Sequence, residues 1–131
     1  EKAALEQKSE ENKPVLDFLK ETLGEEIHEA RLSRILKSGA VCLTTDGPIT
    51  LEMEKYFQRM DPDNAASMKA QRVLELNPES QAFAALKRAV AEDKELAAKY
   101  AKLLYAQGQL IAGLPLDDPA GYTELVCSLM Q

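Results

Sequence analysis

Apolar residues recur along this chain with two periods, and the switches between them mark the elements. From Pro14 to Leu23, Val15, Phe18, Leu19 and Leu23 return at helical spacing, and Gly24 ends the run. From Ile27 to Ile35 polar and apolar positions roughly alternate. Ala30 and Leu32 share one face there and Arg31 and Ser33 the other, which predicts a strand with one wet face, although Ile27 falls out of phase. A turn at Ser38–Gly39 leads to a second strand over Ala40–Thr45, and the simplest pairing of the two is a hairpin. Asp46–Gly47–Pro48 closes that strand. Thr50 is a fair N-cap for a helix to about Met60, with Glu52 and Glu54 near its positive end. Asp61–Pro62–Asp63–Asn64 stops the helix, and the segment to about Lys69 reads as a mobile loop.

A third strand is predicted around Val73–Leu76, running straight into a helix. Asn77 offers a side-chain oxygen as its cap, and Pro78 fits the first helical position, where a missing N–H costs nothing. This helix reaches about Ala91 and buries Phe83, Leu86 and Val90. Asp93 begins a longer one, of about five turns, to Ala112. Its stripe is Leu96, Tyr100, Leu103, Leu104 and Ile111, interrupted by Gln107. Gly113 and Pro115 end it. Asp118 and Pro119 form a cap and first-position pair for a last helix, whose apolar face is Tyr122, Leu125, Val126, Leu129 and Met130. Residues 1–13 are charged and read as a lead-in, residues 14–91 as an α/β part and residues 92–131 as a helical pair. The fold class is therefore α+β: a small three-stranded sheet flanked by helices, followed by a C-terminal helical hairpin.

The composition fits one globular domain: 131 residues, 45% hydrophobic and 29% charged. A net charge of −6 and the absence of Trp argue against nucleic acid or an anionic membrane as partner, since both call for a basic face. No apolar run approaches the roughly 20 residues that span a bilayer. The chain opens on Glu1 rather than Met, as expected of a piece cut from a longer protein. Cys42 and Cys127 have neither CxxC spacing nor His neighbours, and read as two small buried hydrophobes in a reducing cytoplasm.

Catalytic chemistry finds little support. His28 is the single histidine and reads as a strand surface residue. Asp61-x-Asp63 lacks the Gly and distant Glu of a calcium loop, and with Asp117 and Asp118 it reads as helix stopping and capping, so no metal is expected. Lys87, Arg88, Lys94, Lys99 and Lys102 read as a solvated face. No Gly-rich phosphate cradle is present. Two apolar constellations remain. The C-terminal pair can bury its surface on its own sheet, or against a copy across a two-fold axis as a four-helix bundle. Gly108, inside the long helix, predicts a close helix approach there, since it costs about 1 kcal/mol against Ala. Met53, Tyr56, Phe57 and Met60 form one stripe at i, i+3, i+4 and i+7, fit either for ordinary packing or for adaptable contact with varied apolar segments.

The run Arg72–Val73–Leu74–Glu75–Leu76–Asn77–Pro78–Glu79–Ser80 resembles a motif in the C-terminal domain of the heat-shock protein 90 chaperones, and the order of segments from about Val15 to Met130 is similar to that domain in the bacterial members. The resemblance implies that the C-terminal helices form the constitutive homodimer interface, through Leu96, Tyr100, Leu103, Leu104, Gln107, Ile111, Tyr122, Leu125, Val126, Leu129 and Met130. It implies that the Thr50–Met60 helix contacts client proteins through Met53, Tyr56, Phe57 and Met60. It places ATP and Mg in a separate N-terminal domain, none of whose motifs occur here, so this part is expected to have no catalytic site and no cofactor. The Met-Glu-Glu-Val-Asp tail of the eukaryotic cytosolic members is missing, which points to a bacterial, cytoplasmic type. The alternative is a monomeric adaptor that binds another protein through its apolar C-terminal helices.

Overall fold

The computed structural model describes residues 2–34, 39–64 and 68–130. Six helices and three strands follow one another: α1 (Lys2–Glu11), α2 (Lys13–Leu23), β1 (Glu29–Leu32), β2 (Val41–Asp46), α3 (Leu51–Met60), β3 (Gln71–Leu76), α4 (Gln81–Glu92), α5 (Lys94–Ile111) and α6 (Pro119–Ser128). The α+β class expected from the pattern is what the chain adopts. Ile35, Ser38 and the middle of the loop before Lys69 lie outside the described residues.

The sheet order is β1-β3-β2, with β1 parallel and β2 antiparallel to β3. The expected hairpin between the first two strands does not form. The reason lies in β3, whose Val73, Leu74 and Leu76 are at most 1% exposed. It is the strand apolar enough to be covered on both faces, and so it takes the centre and separates the other two. The register puts Ala30 and Leu43 beside Leu74, and Leu32 and Val41 beside Leu76. These six side chains make one apolar face. The opposite face is polar around the buried Val73: Arg31 pairs with Asp46 at 2.7 Å, and Thr44 Oγ1 donates to Glu75 Oε2 at 2.9 Å.

Helices α2, α4 and α5 cover the apolar face with Val15, Leu19 and Leu23, with Phe83, Leu86 and Val90, and with Ala97, Ala101 and Leu104. The small residues of α5 let its backbone lie close to the sheet. At Gly108 an added Cβ would stand 3.2 Å from Leu43 Cγ and 3.5 Å from Leu74 Cδ1. The close helix approach expected at this glycine is not what is found: its neighbours are the strand residues Leu43 and Leu74, so the contact is helix on sheet.

The caps of α3, α5 and α6 are those expected: Thr50, Asp93 and Asp118 each accept a bond from a first-turn N–H. At α4 the expectation fails. Ser80, not Asn77, is the cap, and its Oγ accepts from Phe83 N–H at 3.1 Å. Asn77 is spent elsewhere. It is buried, takes the Glu79 N–H at 3.0 Å, and donates from Nδ2 to the Gly39 carbonyl at 3.0 Å. Its own N–H reaches the Ala40 carbonyl at 2.8 Å. Asn77 thus ties the end of β3 to the approach to β2, and the helix starts about one turn later.

Overpacking the α5–sheet contact should be costly. Gly108→Val is expected to lower stability by about 1–3 kcal/mol, read from the denaturant midpoint at unchanged slope.

Candidate protein-binding surfaces

Two elements are left over once the core is assembled. The first is α3. Its stripe faces solvent: Met53 is 40% exposed, Tyr56 52% and Met60 65%, while Phe57 is half-buried and meets Tyr56 edge-to-face at 5.7 Å between ring centres. The residue it buries is an acid. Glu54 is 1% exposed, and its Oε2 lies 3.0 Å from a terminal nitrogen of Arg72. The other terminal nitrogen of Arg72 donates to Tyr105 Oη at 2.8 Å, and that hydroxyl donates to the Glu26 carbonyl at 3.2 Å. Next along α3, Lys55 Nζ donates to the Ala112 carbonyl at 2.6 Å, where α5 ends. The amphipathic helix is turned with its greasy side out, and two charged residues fasten its other side.

The charged groups respond to this setting. Burial works against the Arg72 cation, but Tyr105 and Glu54 more than offset it and hold its pKa above the ordinary value. Burial raises the phenol of Tyr105, against the pull of Arg72. Burial, and then Glu75, raises the Cys42 thiol.

The second leftover is α6, with the flank of α5 on which it lies. Helix α6 has no buried residue, and it lies across α5 beside a groove of about 760 Å³ whose walls include Leu23, Tyr105, Gln109 and Tyr122. Of the residues expected at a dimer interface, Leu96, Tyr100, Leu103, Gln107, Tyr122, Leu125, Val126 and Leu129 are half-buried. Ile111 and Met130 are 68% and 74% exposed. Leu104 is the exception. It is 4% exposed because its position on α5 turns it into the protomer's own core, leaving it little surface to offer a partner. Leu110, which the stripe left out, is 49% exposed beside Ile111. Its signal was two large apolar residues in succession at a helix end, where one face cannot bury both.

Other candidates fall away or shift. His28 precedes β1, half-exposed, with Nε2 4.0 Å from Asp46. Both cysteines are free, and neither is buried as expected: Cys42 is half-buried and Cys127 is exposed on α6. No group of three or more metal-ligating side chains occurs among the described residues, and no described helix is long and apolar enough to cross a membrane.

The Hsp90 protein family model matches residues 1–131. The chain belongs to the Hsp90 family. It is 45% identical over 123 residues to chaperone protein HtpG of Clostridium acetobutylicum, covering 94% of this chain and 19% of that protein. It is 45% identical over 130 residues to chaperone protein HtpG of Shouchella clausii, covering 99% and 20%. Chaperone protein HtpG of Bacillus subtilis is 40% identical over 125 residues, covering 95% and 20%. The chain thus spans about a fifth of the length of these curated relatives.

Tyr105 gives this Hsp90-family chain a signature in alkali. Its raised phenol favours the neutral form in the folded state, so the stability it contributes is whole below the ordinary value of 10.0 and is lost as pH rises through the folded value. The melting temperature of the wild type should therefore fall more steeply above about pH 10 than that of Tyr105→Phe, measured across a pH series.

Proposed function

We propose that this chain is the homodimerisation part of an ATP-dependent molecular chaperone, and that α3 adds a contact for client proteins. The observation that supports the dimer reading is α6 and the residues just after it: Tyr122, Leu125, Val126 and Leu129 are only half-buried, Met130 is exposed, and no residue of the helix is fully buried in its own chain. A helix of this kind gains by pairing with its copy, and two such hairpins make a four-helix bundle. Joining two long chains at this point raises the effective concentration of their distant domains, which can then meet and part through a nucleotide cycle. ATP is bound elsewhere in the protein on this reading, and this part carries no catalytic site or cofactor. The chaperone relatives and the absence of a described membrane-length helix support a cytoplasmic, client-handling role.

The client reading rests on the outward face of α3. Met side chains are flexible and polarizable, and Tyr56 and Phe57 add rigid area, a mixture suited to varied apolar segments. Its exposed area is small, so the affinity expected is modest and the contact transient.

Sedimentation at tens of micromolar is expected to give a dimer, and Leu125→Asp or Leu129→Asp a monomer, because each places an unpaired charge in the interface. A wild-type monomer would favour the adaptor alternative, and an intact dimer in both variants would overturn the interface assignment. Met53→Ser with Phe57→Ser should weaken binding of a reduced, unfolded model protein by about tenfold, with the melting temperature within a few degrees of wild type. A large thermal loss would instead mark the stripe as core.

A further inference from the structure

Arg72 stands at the start of β3 on the helix side of the sheet and serves two helices at once. One edge of its guanidinium faces Glu54 Oε2, at 3.0 Å from the terminal nitrogen and 3.4 Å from Nε. The remaining terminal nitrogen turns to Tyr105 Oη at 2.8 Å. A guanidinium that met a carboxylate squarely would fill both oxygens. Here one is left over: Glu54 Oε1 is buried and has no hydrogen-bond partner. An orphaned oxygen on a residue 1% exposed is costly, and the half-buried arginine beside this acid is the donor it could gain.

We propose that Glu54 on α3 and Tyr105 on α5 compete for the guanidinium of Arg72, and that the outcome sets how firmly α3 is clamped to the body. When Tyr105 holds its share, as here, Glu54 is gripped through one oxygen. When Tyr105 lets go, the guanidinium can turn and grip both. Lys55 supplies the second point of the clamp. Its Nζ takes the Ala112 carbonyl at the end of α5, in a space open because Gly113 has no side chain: a Cβ there would stand 3.2 Å from Nζ. Both points run from α3 to α5, so a shift of α5 against the sheet changes the hold on α3, and a pull on α3 is felt by α5. The one fully buried residue of α3 is an acid, with Leu51 half-buried against the core, so the polar part of this hold is electrostatic and directional. The consequence for clients, a stripe presented firmly or loosely, rests on the proposed function above. The clamp itself does not.

Amide hydrogen exchange on the full chain, without any client, reads the clamp. Lys55→Met is expected to speed exchange over α3 by about tenfold while β3 keeps its protection. Tyr105→Phe is expected to slow exchange over α3, because Arg72 is released to Glu54 Oε1. It should do so while lowering the melting temperature, since the bond to the Glu26 carbonyl is lost. A purely structural Tyr105 would speed exchange everywhere. Exchange over α3 that rises or stays unchanged in Tyr105→Phe overturns the proposal and leaves the client reading standing. Slowed exchange together with normal client binding by the Met53, Phe57 double variant keeps the clamp and removes the client reading.

Discussion

The central strand imposes the arrangement on everything else. β3 hydrogen-bonds on both edges, and its Leu74 and Leu76 lie at the middle of the apolar face. A strand so placed needs a helix layer pressed close, because apolar area left wet costs roughly 25 cal/mol per Å². Three helices supply that layer. α5 comes nearest, through Ala97, Ala101 and Gly108, and it does so by giving up side-chain bulk on that face. Its larger side chains are displaced to the flanks. Leu96, Tyr100 and Leu103 are only half covered, and Leu110 and Ile111 stand at the exposed end. The demand of the sheet for a thin helix face is thus what leaves apolar surface on the outside of α5, where α6 lies.

That division of labour explains why no residue of α6 is fully buried. The core is closed before it arrives, with Leu114 filling the corner beyond α5 at 3% exposure. α6 then rests on the flank of α5, where Tyr122, Leu125 and Val126 are only half covered. On the proposed dimer reading a second copy would cover that surface, since one two-fold axis matches each hairpin with another of the same shape.

Much of this was legible in the sequence, because it depends on local periodicity. The helices and their caps follow from spacing and from single residues such as Thr50, Asp93 and Asp118, whose side-chain oxygens have a nearby N–H to satisfy. Pairing was not legible in the same way. The order β1-β3-β2 is decided by which strand is most completely buried, a comparison between distant segments rather than a property of any one. Asn77 shows the same limit at the scale of one side chain. Its Oδ1 does serve a nearby N–H, that of Glu79, but its Nδ2 also ties it to Gly39, 38 residues earlier, a contact no local pattern shows. The α3 surface was half legible: the stripe of Met53, Tyr56, Phe57 and Met60 is plain in the spacing, but the direction it faces is fixed by Glu54, which looked like one more helix acid. Leu104 shows the converse. It shares a stripe in the sequence with Leu103, yet the one-residue step turns it from the flank to the core.

The attitude of α3 is a contest that magnitudes can decide. Rotating the helix by about one residue's turn, roughly 100°, would carry Met53 and Phe57 toward the body. Full burial of such a side chain is worth about 1.5–3 kcal/mol, and both already have part of that where they are. The same rotation would take Glu54 off Arg72. Breaking a buried pair of this kind costs about 3–5 kcal/mol, since Glu54 is 1% exposed and the side chain of Arg72 15%. Apolar burial has no preferred direction and would accept the rotated helix, whereas the ion pair accepts only one angle. The pair therefore holds the stripe outward against the pull of its own hydrophobicity. The margin is a few kcal/mol, small enough for an apolar segment that covers the stripe to settle the contest in place, without any rotation.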